Sequence, residues 1–224
     1  MKKRSILISA ALTIALCLCL IAGSTYAIFT SSDSNNIAVN AGSVKIAATM
    51  SGLNVYTELE DGVVSYNNST PEADGKILFE NQGYAGLTDD HNLVLANMTP
   101  GDGVNFNIDV DKLDTNVAIQ YRVVLTVEGE LGSALEATVT DPTSGEVITL
   151  AVDSDTTTEA LVLSSDWTKL TVAELANLGA ISVNIFFPNG DPAHDNLYQG
   201  KACTVAVRIE AVQGNANVAN VVVP

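Results

Sequence analysis

Hydrophobic and polar positions alternate with period two over most of this chain. In VNFNIDVD, Val104, Phe106, Ile108 and Val110 alternate with Asn105, Asn107, Asp109 and Asp111, the signature of a strand with one buried and one wet face. NVAIQYRVVLTV follows after the turn-like KLDT, with Val117, Ile119, Tyr121, Val123, Leu125 and Val127 inward, and the two runs read as a hairpin. Before them NMTPGDG places Pro100-Gly101 and Asp102-Gly103 as turn punctuation that stops one strand and aims the next. EATVT and GEVITLAV predict a second hairpin around DPTSG, and the runs 181–187 and 203–212 predict two further strands joined by a long polar connection. One helix is predicted, in TVAELANLG. There Thr171 and Glu174 match a capping box, Leu175 and Leu178 face inward, and Gly179 closes the element. Residues 52–87 are less regular. Eight to ten strands with one short helix predict an all-β chain, a two-sheet jelly-roll-like sandwich.

The front of the chain follows another rule. Lys2, Lys3 and Arg4 precede an uncharged apolar run over residues 6–22, and Thr25 and Ala27 put small residues at the minus-three and minus-one positions of a cut. This is the pattern of a secretory signal peptide, residues 1–27, cleaved between Ala27 and Ile28; its rival is an uncleaved anchor at the short limit of a bilayer span. Beyond it, the inward phase is odd at Ile37 and Val39 but even at Val44, Ile46 and Ala48. A break at Gly42-Ser43 accounts for the switch, since one extra residue flips every following side chain to the other face. Residues 43–49 then open the sandwich, which extends over residues 43–216, and residues 28–42 form an upstream arm. The arm is apolar at Ile28, Phe29, Ile37 and Val39 around the polar run SSDSNN. An uncovered apolar strand is a liability unless something pairs with it. The arm therefore folds back on its own domain or adds to a sheet of another copy, a candidate donor strand. Residues 217–224 form a short apolar tail whose VVV run is a second segment able to pair with a sheet edge.

Charge narrows the partners. The 224-residue chain carries 26 acidic and 10 basic residues, net −16; three of the basic ones lie in residues 1–27, so the remainder stands at −19. Such a chain repels nucleic acid and anionic membranes, and its membrane contact is expected only through the signal segment before cleavage. Only Cys203 follows residue 27, in phase with Val205, Val207 and Ile209, and reads as a core hydrophobe rather than a reactive thiol.

Chemistry-bearing motifs are sparse. His91 in DDHN and His194 in PAHDN stand in polar loops without the His-Glu-x-x-His arrangement that zinc hydrolysis uses. Asp89 with Asp90, and Asp191 with Asp195, cluster oxygen donors that could suit calcium, but neither has the spacing of an EF-hand loop. No catalytic residue, metal ligand or cofactor is assigned. Trp167, the single tryptophan, is expected to anchor packing, with a ligand platform as the alternative.

AGSTYAIFTSSDSNN followed by AGSVKI resembles the signal-peptide junction of the TasA and camelysin family of Gram-positive bacteria, processed by the dedicated signal peptidase SipW. LANMTPGDGVNFNIDV resembles that family's entry into a strand, and NLYQGKACTVAVRIEAVQGNA its closing strand. The resemblance implies a jelly-roll subunit of extracellular biofilm-matrix fibres, secreted to the matrix or cell surface, in which each copy's arm inserts into the next. Two alternatives stand beside it: a camelysin-like surface metallopeptidase, and a surface adhesion module that does not polymerise, for which Trp167 and the 188–200 connection are the natural contacts.

Overall fold

The computed structural model describes residues 44, 46–59, 62, 64–67, 76–80, 83–113, 115–190, 195–216 and 218. The signal segment, the arm and the VVV tail lie outside the described residues, as do His194 and Asp191. Among the described residues, fourteen strands form two antiparallel sheets packed face to face, with one short α-helix: an all-β, jelly-roll-like sandwich.

The six-stranded sheet runs β2 (Val64–Asn67), β1 (Ala47–Glu58), β6 (Asp102–Asp111), β13 (Ile181–Phe186), β8 (Glu136–Thr140), β9 (Val147–Thr149). The second sheet runs β10 (Ala151–Val152), β11 (Ala160–Ser164), β7 (Ile119–Glu128), β14 (Ala202–Gln213), β5 (Leu93–Ala96), β4 (Tyr84–Leu87), β3 (Ile77–Leu78), with β12 (Thr168–Leu170) also on β7. β11 and β12 lie on one side of β7 in nearly one register, Ser164 opposite Val124 and Thr168 opposite Tyr121, so residues 165–167 form a one-residue bulge between them. The core is the meeting of the two inward faces. Phe106 and Ile108 of β6, Val183 and Ile185 of β13, Leu125 of β7 and Ile209 of β14 are all buried in it. Val44, Ile46 and Ala48 are buried too, as their even phase predicts; the strand they lead into is longer than expected and carries its own bulge between Ser51 and Asn54, after which Val55 points inward.

Two expectations need correction. β6 and β7 are not a hairpin: β6 pairs with β1 and β13, β7 with β11, β12 and β14, and residues 112–118 cross from one sheet to the other. Both strands bury one full face, and two such faces are best covered by turning toward each other across the core rather than lying side by side. The strand count also exceeds the expected eight to ten, because short edge strands such as β3, β10 and β12 have too few residues to show a period. The β8–β9 hairpin does form, nucleated locally: Asp141 accepts hydrogen bonds from the amides of Thr143 (2.7 Å) and Ser144 (2.9 Å). Helix α1 (Val172–Ala176) has both halves of the capping box, with Leu175 buried beneath it.

The Pro-Gly-Asp-Gly turn works through two residues. Gly101 has φ +93, and a Cβ there would stand 2.5 Å from the Glu58 carbonyl oxygen, so only glycine lets the turn lie against β1. Asp102 is fully buried and accepts hydrogen bonds from Thr57 Oγ1 (2.6 Å), Thr99 N (2.7 Å) and Thr99 Oγ1 (2.9 Å). Burial raises its carboxyl above the ordinary range, and these donors pull it partly back.

Candidate functional site

Among the described residues, β14 is paired along only part of one side. It pairs with β7 from Thr204 to Gln213, but on its other side β5 covers only Ala202 to Val205. Among the described residues no strand pairs with that side from Ala206 to Gln213. On the facing sheet the situation is matched: β2 covers β1 only from Val55 to Glu58, so β1 from Ala47 to Ser51 has its second side without a described strand. The two stretches border a narrow cleft lined by Ala48, Thr49, Met50, Ile108, Val207, Arg208 and Ile209. Met50, Val110 and Val207 pack on the core yet stay only partly buried. The cleft holds 20 Å³, about one water, so an added strand would close its mouth rather than fill a chamber.

Behind this edge, on the outer face of the same sheet, polar groups hold β14 in place. Arg122 of β7 donates from Nε to Glu210 Oε2 (2.7 Å) and from Nη1 to Asp153 Oδ2 (2.7 Å), which Ser164 Oγ also reaches (2.7 Å). The Glu210 side chain is 0% exposed. Arg208 Nε stands 3.1 Å from Glu210 Oε1, close enough for charge attraction but not aligned for a hydrogen bond. The Arg122 guanidinium lies 5.1 Å from the centre of the Trp167 ring, which the β11–β12 bulge positions. Burial pushes the Asp153 carboxyl up, but the Ser164 hydroxyl, the Asp155 amide and the Arg122 charge together hold it below its usual value.

The remaining sequence candidates fall as follows. Trp167 is half-buried and lies against the Arg122 guanidinium. Cys203 is buried in the core, and desolvation pushes its thiol up to about 12, so it stays protonated. His91 is exposed in a turn with φ 60, and Asp89 and Asp90 are exposed beside it. Asp195 is buried and accepts from the Gly190 amide (3.3 Å). Among the described residues no three His, Cys, Asp or Glu side chains converge as a metal site. Tyr198 of the 188–200 connection packs edge-on against Phe187, 6.1 Å between ring centres. Ile28, Phe29, Ile37 and Val39 lie outside the described residues. Sequence reasoning did not find the β14 edge or the Arg122 network; Arg122, Arg208 and Glu210 are visible as charges within strand patterns, but only the pairing reveals what they meet.

No family model matches this chain, and no curated protein does. Among solved structures, the chain is similar to a mutant of CBM29-2, a family 29 carbohydrate-binding module: 10% identity, TM-score 0.32, covering 88% of this chain and 97% of that one. It is also similar to a mutant of Xylanase10C from Cellvibrio japonicus in complex with xylopentaose, at 14% identity and TM-score 0.32, covering 86% of this chain and 29% of the xylanase. At such TM-scores neither likeness bears on function, and the chain stands as a β-sandwich without a demonstrated family.

Proposed function

We propose that this protein is a secreted structural subunit of extracellular fibres, in which residues 28–41 of one copy add as a strand to β14 of the next. The observation that carries this reading is the second side of β14, Ala206 to Gln213, which no described strand covers above a cleft of apolar residues. An arriving strand gains a row of backbone hydrogen bonds along β14, while its alternate apolar residues sit against Val207, Ile209 and Met50. The arm supplies such residues at Ile37 and Val39, two positions apart, as one strand face requires. The resemblance of the junction and closing strand to the TasA and camelysin family supports the same reading. The −19 charge of the chain after residue 27 opposes close packing of copies, so assembly is expected to quicken with added salt.

Deleting residues 28–41 tests it by electron microscopy. The truncated protein should remain folded and form no fibres, and, because it keeps the β14 edge but offers no arm, it should shorten wild-type fibres when mixed in. A Val207→Asp variant should show the reverse pattern, keeping the arm while losing the acceptor edge. Fibres of normal length from the truncation would end the proposal.

A further inference from the structure

Strand register sets two rows of side chains across the outer face of the six-stranded sheet. Asn54, Asn105, Asn184, Thr138 and Thr149 stand side by side from β1 to β9. Ser51, Asn107, Ser182, Thr140 and Val147 form the row beside it. Neighbours within a row are about 4.8 Å apart, so each row extends about 19 Å across five strands. None of these ten positions is charged; Asp109 borders the second row, where it accepts a hydrogen bond from Ser51 Oγ (2.6 Å). Nearly all are Asn, Ser or Thr, which both donate and accept. The side chains of Asn105, Asn107, Ser182, Thr138 and Thr140 make no hydrogen bond among the described residues.

An aromatic end completes the face. Tyr56 leans from β1 across Gly103: a Cβ at Gly103 would stand 2.2 Å from Tyr56 Cζ, so the ring occupies the place a side chain would take. Its hydroxyl donates to Asn184 Oδ1 (2.9 Å), which ties the ring to the first row. Next to it lies a hollow of 370 Å³ whose walls include Tyr56, Leu59, Phe186, Pro188 and Asn189, with Glu58 as its one charged residue.

We propose that this face binds a neutral polysaccharide. One pyranose ring lies against Tyr56 with the Phe186 hollow beside it, and hydroxyls of the following sugars exchange hydrogen bonds with Asn184, Asn105 and Thr138. A polyol suits paired donors and acceptors that carry no charge, and an aromatic wall with a few fixed polar groups is how a concave site orients such a ligand. Anionic polymers are repelled by a chain at net −16, and a protein partner would need an apolar centre that these rows lack. This inference is independent of the fibre reading.

Co-sedimentation of the secreted protein with insoluble cellulose and with chitin tests it, with a polygalacturonate gel as the charged control. Retention on at least one neutral polymer, insensitive to salt and absent from the control, is expected. The Asn105→Asp/Asn184→Asp double variant should bind at least about tenfold more weakly, because each new carboxylate would have to be desolvated beneath the sugar. Phe186→Ala should also bind more weakly, and both variants should keep the wild-type circular dichroism spectrum. Deleting residues 28–41 should leave retention intact even where fibres are lost, which separates this outcome from that of the fibre proposal. No retention on either neutral polymer, undiminished retention by the double variant, equal retention on the anionic gel, or retention that disappears with the arm would each overturn it.

Discussion

The two outer faces of the sandwich handle polar groups in opposite ways. On the eight-stranded sheet, Arg122, Glu210, Asp153 and Ser164 turn toward one another, and Trp167 lies against the guanidinium. On the six-stranded sheet, Asn105, Asn107, Ser182 and Thr138 stand in rows and leave their hydrogen-bonding groups free of the described residues. A buried network of this kind holds strands together and turns its polar groups away from a ligand. An open row adds little to the fold and keeps its groups for something else. Substitutions on the two faces should therefore differ by several kcal/mol in stability even where the residues are equally polar.

The largest effect is expected from Arg122→Ala, which leaves the buried Glu210 carboxylate with only a misaligned Arg208; a loss of about 3–5 kcal/mol in urea unfolding is expected. An Arg122→Met/Glu210→Leu pair should recover the part owed to Glu210, because that buried carboxylate is gone, while Asp153 keeps Ser164 but loses its arginine. A loss below about 1 kcal/mol for the single variant would place the network with ordinary surface ion pairs and erase the contrast between the faces.

Thr57→Val comes next. It removes the shortest donor to Asp102, a buried carboxylate at the rim of the six-stranded sheet, and should cost about 1–3 kcal/mol. Asp102 is the point where the six-stranded sheet behaves like its partner, and a negligible cost there would show that water takes over from Thr57.

Acid titration separates these two carboxylates by sign. Asp153 is held below its usual 3.8, so its contribution is present above that value and is lost as pH falls through its lower folded pKa. Asp102 is raised above 3.8, so its folded form gains a proton first, and acidification from its folded pKa down to 3.8 favours the fold. Urea midpoints of Asp153→Asn should be less sensitive to pH than wild type below about pH 4. Equal slopes would mean that Arg122 and Ser164 do not bias Asp153. The smallest effect is expected from Asn105→Asp, within about 0.5 kcal/mol by thermal unfolding, and a larger loss would mean that the row contributes to the fold after all.

Much of the fold is legible in short stretches of sequence. The alternation in β6, β7, β13 and β14 marks which side chains face inward, because a strand's period of two is local geometry. Thr171 with Glu174 mark the helix start, and Asp141 marks the β8–β9 turn, because each bonds backbone amides two or three residues away. The hairpin expected between β6 and β7 fails for the same reason in reverse. Alternation marks a face but not a neighbour, and residues 112–118 hold no two-residue turn to fix one.

The candidate edge was hidden more deeply. β14 is a strong strand by its pattern, yet nothing in ACTVAVRIEAVQ records that its pairing with β5 ends at Val205 while its pairing with β7 continues to Gln213. The Arg122 network joins residues 122, 153, 164 and 210, and the polar rows of the six-stranded sheet align residues from positions 51 to 184. By itself the sequence determined where strands run, which face of each is apolar, how the local turns close and how acidic the whole is. The tertiary structure alone decided which strands lie side by side, and with that which polar side chains find partners. Backbone hydrogen bonding is the same for every strand, so pairing is chosen by packing across the whole core, over separations that no local pattern encodes.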